Sequence, residues 1–195
     1  MMLASPAVWA RLEIYADVLT AWNARINLIG RTTEASLKCR HLLDSLAVLP
    51  LLPAGIRRLV DLGTGAGLPG LPVAIVSGVE THLVDRDRRK CAFLREAARL
   101  TSAPVVIHEG DFSTLPGLSA DAVLSRATGT LAALLDGGWR HARKGGVMVF
   151  HKTHSQAAEI AAARERWRFA LQAFASPADA RGRLWRICGL ERRRD

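Results

Sequence analysis

The ten residues Asp61-Leu62-Gly63-Thr64-Gly65-Ala66-Gly67-Leu68-Pro69-Gly70 constrain this chain more than any other stretch. They follow the apolar pair Leu59-Val60, so they read as a tight turn from a strand into a helix. Glycine reaches positive φ without a Cβ clash and lets a ligand approach bare backbone amides. Gly65, Gly67 and Gly70 also satisfy G-x-G-x-x-G, which brings a dinucleotide into the comparison. The acids around the turn separate the two ligands. Asp61 stands directly before the glycines, where a carboxylate is out of place beside a pyrophosphate but suits the ammonium and sulfonium of S-adenosylmethionine. Asp85 ends the next strand, where it can accept from both ribose hydroxyls; a dinucleotide enzyme uses such an acid too. Asp111, with Phe112, follows the third strand at a location suited to an adenine amino group and edge. A loop acid or helix cap explains Asp111 equally well on spacing. Asp61, Thr64, Gly65, Gly67, Asp85, Asp111 and Phe112 are the cofactor candidates, and a methyl donor fits them better than a nicotinamide or flavin.

The rest of the chain is organised around that turn. Up to residue 54 it reads as helical: Trp9, Leu12, Tyr15, Ala16 and Leu19 recur at helix spacing. Thr32 or Thr33 can cap a second helix carrying Leu37, His41, Leu42, Ser45 and Leu49, which Pro50 and Pro53 stop. Between these helices Trp22 to Leu28 reads as a connector. From residue 55 onward short apolar runs alternate with helical segments. Leu59-Val60, His82-Leu83-Val84, Val105-Val106-Ile107, Ala122-Val123-Leu124 and Val147 to Phe150 are five candidate strands. Cys91, Leu94 and Ala98, capped by Asp87, form one helix face; Leu131, Leu134, Leu135 and Trp139 form another, and Ser155 can cap a third helix through Arg166. Lys144-Gly145-Gly146 reads as a turn before the fifth strand, or a helix stop. Trp167 to Phe174 and Leu184 to Cys188 are two further strands, expected to close the sheet as an antiparallel edge. This predicts a single α/β domain, Rossmann-like, with a mostly parallel seven-stranded sheet covered on both faces. A class I S-adenosylmethionine-dependent methyltransferase has that architecture.

Composition narrows the setting. Lys+Arg 27 against Asp+Glu 18 leaves a formal charge of +9, which favours a polyanionic partner through counterion release, although a generic basic surface gives the same balance. No apolar run approaches the roughly 20 residues of a membrane span, and the start has no basic segment ahead of an apolar stretch. Cys39, Cys91 and Cys188 are odd in number and outside any CxxC pair, which argues against a disulfide framework or a zinc site. A cytoplasmic protein without a metal is expected.

Several separated segments carry a family resemblance. Trp22-Asn23-x-x-x-Asn27-Leu28, Arg40-His41-Leu42-Leu43-Asp44-Ser45-Leu46, the Pro-containing glycine turn, Ser125-Arg126-Ala127 after the fourth strand and Lys152 after the fifth occur in order. In these the chain resembles the bacterial small-subunit ribosomal RNA guanine-N7 methyltransferases, the glucose-inhibited division protein B family. The resemblance implies that Gly63 and Leu68 line the cofactor, and that the Asp111-Phe112 region meets the adenine. It also implies that Arg126 lies near the methyl-transfer site and that the substrate is one guanine of 16S ribosomal RNA. Thr153 stands where that family commonly has Gly, and Gly110-Asp111-Phe112 departs from its usual stretch.

The residues agree with N7 as target. The position after the fourth strand holds Ser125-Arg126-Ala127-Thr128, without the Asn/Asp-Pro-Pro-aromatic motif that often accepts the protons of an exocyclic amine. No cysteine sits there as the nucleophile that cytosine C5 methylation needs. Guanine N7 has a free lone pair and no proton, so the protein need only hold it in line with the methyl group. A guanidinium gripping both O6 and N7 would cover that lone pair. Arg126 is therefore expected to hold O6, a phosphate or the cofactor, and Lys152 a phosphate. Both are the catalytic candidates. Asn23 and Asn27 can bond a base edge or merely fix the connector, and His41 and Asp44 can lid the pocket or merely pack. His151 and His154 have no metal-ligand pattern. A methyltransferase acting on a small molecule or protein, or a non-catalytic RNA-binding module of the same fold, are the competing functions.

Overall fold

A computed structural model describes residues 5–30, 41–126, 129–153 and 157–193. The expected caps at Thr33 and Ser155, and His154, lie outside the described residues. Helix α1 spans Pro6–Ile26, with the Ser5 side chain accepting from the Val8 amide and a proline in its first turn. It therefore absorbs Trp22 to Ile26, expected as connector, and ends at Asn27 in the left-handed region. The short helix α2 spans Leu43–Leu46, followed by one 3-10 turn over Leu49–Leu51. Strand β1 (Arg58–Leu62) leads through the glycine turn into α3 (Gly70–Ser77). β2 (Glu80–Asp85) is followed by α4 (Arg88–Thr101), whose Asp87 cap accepts from the Arg89 and Lys90 amides. β3 (Val105–Glu109) and β4 (Ala120–Ser125) precede α5 (Leu131–Gly138). β5 (Ala142–Thr153), α6 (Ala157–Arg166), β6 (Trp167–Ala175) and β7 (Gly182–Arg192) complete the chain.

The seven strands form one sheet in the order β3-β2-β1-β4-β5-β7-β6. β1 to β5 pair in parallel; β7 is antiparallel to both β5 and β6. The two C-terminal strands thus close the sheet as the expected antiparallel edge, with the reversed strand one place in. The β6–β7 hairpin turns inward, so β7 fills the place beside β5 and β6 becomes the outer strand. Lys144 to Gly146 are not a turn ahead of β5 but lie within it, with Gly145 at φ 77° and a register shift opposite Ala120 and Ala122.

Alternation along the strands sorts the two faces. Val60, Leu62, Val84, Val123, Met148 and Phe150 pack with Leu131, Leu134 and Leu135 of α5 and Ala163 of α6. On the opposite face Leu83 packs with Leu12, Tyr15 and Leu19 of α1, Leu71 and Ile75 of α3, and Phe93 and Leu94 of α4. Leu59, Ala122, Leu124, Val147 and Val149 line that same face, beneath Val48 and Leu51. α1 is fixed onto it by Arg11, whose guanidinium donates to the carbonyls of Thr101 (2.6 Å), Ser102 (2.9 Å) and Ile75 (3.4 Å). Those are the last carbonyls of α3 and α4, where a cation also meets the negative ends of the helix dipoles. No helix among the described residues is long and apolar enough to cross a membrane.

Candidate cofactor and methyl-transfer site

The carboxyl ends of β1, β2 and β4 converge on the glycine turn. Asp61 points from β1 to the face of α1 and α3 and is fully buried. Its Oδ2 accepts from the Thr64 hydroxyl at 2.6 Å and the Gly70 amide at 2.9 Å, so the carboxylate closes the ten-residue loop on itself. Its other oxygen, Oδ1, is buried with no hydrogen-bond partner. Burial pushes the Asp61 carboxyl up to about 7, opposed by the hydrogen bonds from Thr64 and Gly70 and by the charge of Arg126. An enclosed carboxylate oxygen without a donor is costly unless a ligand cation satisfies it.

Two glycines show what the turn is shaped for. Gly70 opens α3 so close to β1 and β2 that a Cβ there would lie 2.5 Å from Leu83 and 2.8 Å from Asp61. That glycine is a packing requirement. Gly65 has φ 58°, and a Cβ on it would meet only the Gly63 carbonyl, at 4.0 Å. Its open side is where a ligand can lie against backbone. The Gly65 amide donates to Asp85 Oδ2 at 2.8 Å, and Asp85 Oδ1 accepts from the Asp87 amide at 2.9 Å. Asp85 therefore sits directly against the glycine loop, and each oxygen retains a lone pair for a further donor.

Tyr15, visible in the sequence only as one position on an apolar stripe, reaches the loop from α1. Its buried hydroxyl donates to the Ala66 carbonyl at 2.6 Å, and burial raises its pKa well above the ordinary phenol value. The loop is thus pinned from below by Asp61 and from outside by Tyr15.

Arg126, just past β4, lies on the Asp61 side of the sheet. Its Nη1 is 3.9 Å from Asp44 Oδ2, with the two side chains 24% and 15% exposed. His151 of β5 joins them: its Nε2 is 3.0 Å from the Asp44 carbonyl and 3.4 Å from Asp44 Oδ2. Burial pushes the His151 ring below the usual histidine value, so it is neutral at pH 7. Ser176, at the β6–β7 turn, donates to Asp44 Oδ1 at 2.5 Å. Sequence reasoning missed Ser176, because nothing along the chain links it to residue 44.

Other candidates are placed elsewhere. Lys152 is not an open phosphate contact: its ammonium lies 2.5 Å from Glu159 Oε1 and 2.7 Å from the Gly129 carbonyl, over the Trp185 ring. Both partners of that ion pair are under one-tenth exposed. Asn23 does not face a base edge: it is buried and its Oδ1 accepts from the Leu28 and Ile29 amides, fixing the connector. Asn27 is the exposed left-handed residue that ends α1. His41 lends its carbonyl to the Ser45 hydroxyl at 2.6 Å. Asp111 Oδ1 accepts from the amide and hydroxyl of Ser113, making a local turn. The Phe112 ring packs so tightly on Gly137 that a Cβ there would lie 2.2 Å from it, and its carbonyl bonds His141 Nε2 at 2.7 Å. Thr64 is buried in the loop, with Leu68 in the core beside Leu71. Among the described residues no group of three or more His, Cys, Asp or Glu is placed to hold a metal ion.

A seven-stranded sheet with one reversed strand, an acid-led glycine loop after β1 and an acid at the end of β2 define a class I S-adenosylmethionine-dependent methyltransferase. Solved structures agree on the fold. M. jannaschii TYW2 in complex with AdoMet superposes with a TM-score of 0.61 at 15% identity, covering 78% of this chain and 76% of that one. A SAM-dependent methyltransferase from Aquifex aeolicus does so with 0.60 at 15% identity, covering 76% and 90%. The chain belongs to the GidB family, rRNA small subunit methyltransferase G, which matches residues 9–179. Curated relatives named ribosomal RNA small subunit methyltransferase G are similar over most of its length. The protein of Paramagnetospirillum magneticum is 45% identical over 80% of this chain and 77% of its own. That of Rhodospirillum rubrum is 43% identical over 93% and 90%.

Proposed function

We propose that this chain methylates N7 of one guanine in small-subunit ribosomal RNA, by in-line transfer and without a general base. One observation carries the reading: Asp61 Oδ2, Asp44 and His151, which lie beside Arg126, are engaged within the fold, and the remaining Asp61 oxygen is the one matched to the donor's ammonium. Asp61 holds Thr64 and Gly70, Asp44 holds Ser176, and His151 directs its Nε2 at Asp44. A reaction that must remove a proton would need one of them released. N7 carries none.

The donor set fits S-adenosylmethionine, which supplies a methyl group made electrophilic by its sulfonium. In this proposal Asp61 Oδ1 accepts from the donor's ammonium, Asp85 from its ribose hydroxyls, and Gly63 to Leu68 line it. Asp111 and Phe112 border the adenine through the backbone of their turn, because the Phe112 ring is already engaged with Gly137. Arg126 holds guanine O6 or a flanking phosphate and leaves N7 exposed. Lys152 takes a positioning role: by binding the Gly129 carbonyl it fixes the chain that leaves β4 after Arg126. Holding both reactants at near-attack distance can lower the barrier by up to about 7–11 kcal/mol.

The test is tritiated methyl transfer to small ribosomal subunits from a strain lacking the gene, followed by strand scission specific for 7-methylguanine. One cleavage site is expected. Label that resists this chemistry, or label accepted only by small molecules or proteins, rejects the proposal.

A further inference from the structure

Asp44 lies outside the glycine turn, yet three elements of the sheet's carboxyl edge meet on it. The Ser176 hydroxyl accepts from the Ala178 and Asp179 amides, both at 3.1 Å, so its one hydrogen is left for Asp44 Oδ1. Ser176 itself is held across the hairpin by its amide, which donates to the Gly182 carbonyl at 3.1 Å. His151 Nε2 faces two acceptors, the Asp44 carbonyl and Oδ2, so a neutral ring must carry its proton there. Two neutral donors from β5 and the β6–β7 turn thereby orient one carboxylate, and its Oδ2 faces the Arg126 guanidinium at 3.9 Å. The two sides of this ion pair are largely withdrawn from water, where a charge interaction is screened less than at the surface.

This arrangement answers a geometric demand of the reaction proposed above. An arginine near guanine prefers to bond O6 and N7 together, and that bidentate grip would occupy the attacking lone pair. Something must hold the guanidinium aside. Asp61 is spoken for in the proposed function, with its Oδ2 bound within the loop and its Oδ1 given to the donor's ammonium.

We propose that Asp44 is a positioning residue for methyl transfer: its carboxylate, oriented by Ser176 and His151, holds Arg126 where it can grip the substrate without covering N7. The inference rests on the proposed role of Arg126. It assigns Asp44 no contact with the base or the methyl donor.

A double-mutant cycle in single-turnover methyl transfer to small subunits tests it, with Asp44→Asn, Arg126→Ala and the double variant. Asp44→Asn is expected to slow transfer on the order of ten-fold while leaving S-adenosylmethionine affinity, read by calorimetry, within about two-fold. In the Arg126→Ala background the same substitution is expected to change nothing, the mark of two residues acting as one unit. Rates that multiply independently, an unaltered rate in Asp44→Asn, or a matching loss of cofactor affinity each overturn the inference. If Asp44→Asn does not fold, Ser176→Ala, which releases Oδ1, takes its place in the cycle. Should Arg126→Ala retain full turnover, the role given to Arg126 in the proposed function fails first, and that outcome is separate from independent losses in an impaired Arg126 variant.

Discussion

Arg126 and Lys152 leave neighbouring parallel strands at the same edge of the sheet, yet their charged ends serve opposite faces. Arg126 meets Asp44 on the face covered by α1 and α3; Lys152 meets Glu159 of α6 on the other. Val149 and Phe150 already show β5 alternating between those faces, and two further residues carry His151 to the first and Lys152 to the second. A cation on each strand end is therefore not one site but two.

Lys152→Met follows from that separation. Removing the ammonium strands the Glu159 carboxylate in the interior, which costs about 3–5 kcal/mol when a buried pair is broken on one side. Chemical denaturation is expected to show such a loss, and Lys152→Met with Glu159→Gln to recover most of it. The salt dependence of RNA binding should stay unchanged, whereas loss of a phosphate contact would reduce its slope by about one.

Cofactor affinity should depend on pH through Asp61. With its carboxyl pushed up to about 7 by burial, the acid is mostly protonated at pH 6 and mostly ionised at pH 8, and only the ionised form attracts an ammonium. Calorimetry with S-adenosylmethionine is expected to show affinity rising through pH 7 and levelling above it, and Asp61→Asn to flatten the curve. Stability runs the other way: a folded pKa above the unfolded value stabilises the fold fully below about pH 4 and is lost as pH rises through about 7.

Two glycine substitutions should fail differently. Gly70→Ala drives a methyl into Leu83 and Asp61, so a loss of about 1–3 kcal/mol or more in thermal unfolding is expected. Gly65→Ala meets no neighbour nearer than 4.0 Å and costs only its left-handed backbone, about 1–2 kcal/mol. It projects into the open side of the loop, so its greater effect should appear in cofactor binding. Equal effects of the two on stability and binding would contradict this division.

Tyr15→Phe removes the donor to a buried carbonyl and is expected to destabilise by about 1–3 kcal/mol. Because that carbonyl belongs to Ala66 in the glycine turn, cofactor affinity should weaken as well. A melting shift without any change in binding would show that the pin is irrelevant to the loop's shape.

The strands and the glycine loop were legible because they are local: short runs of two to four mostly apolar residues between turn and helix signals carry their own pattern. What lay beyond reach was pairing across space. Tyr15 is the chain's one tyrosine, but on a helix stripe its hydroxyl looks like any other core position. Asn23 and Asn27 suggested a connector or a base contact, while the buried amides of Leu28 and Ile29 needed Asn23 as an acceptor. The place of β7 depended on how a hairpin folds back, which neither strand records. The Asp44 cluster joins residues 44, 126, 151 and 176, and no spacing rule predicts such a meeting.

The clasp between α1 and the rest of the molecule sets an order of assembly. Tyr15 waits for a carbonyl 51 residues later and Arg11 for one 90 residues later, so α1 is fully secured only once α4 has been made. Until chain beyond Thr101 has been made, the turn that receives the methyl donor lacks the rigid roof it has in the finished fold. Competence to engage that donor is thereby tied to synthesis through α4, and a nascent fragment ending before it would hold its glycine loop without the Thr101 and Ser102 carbonyls that anchor Arg11.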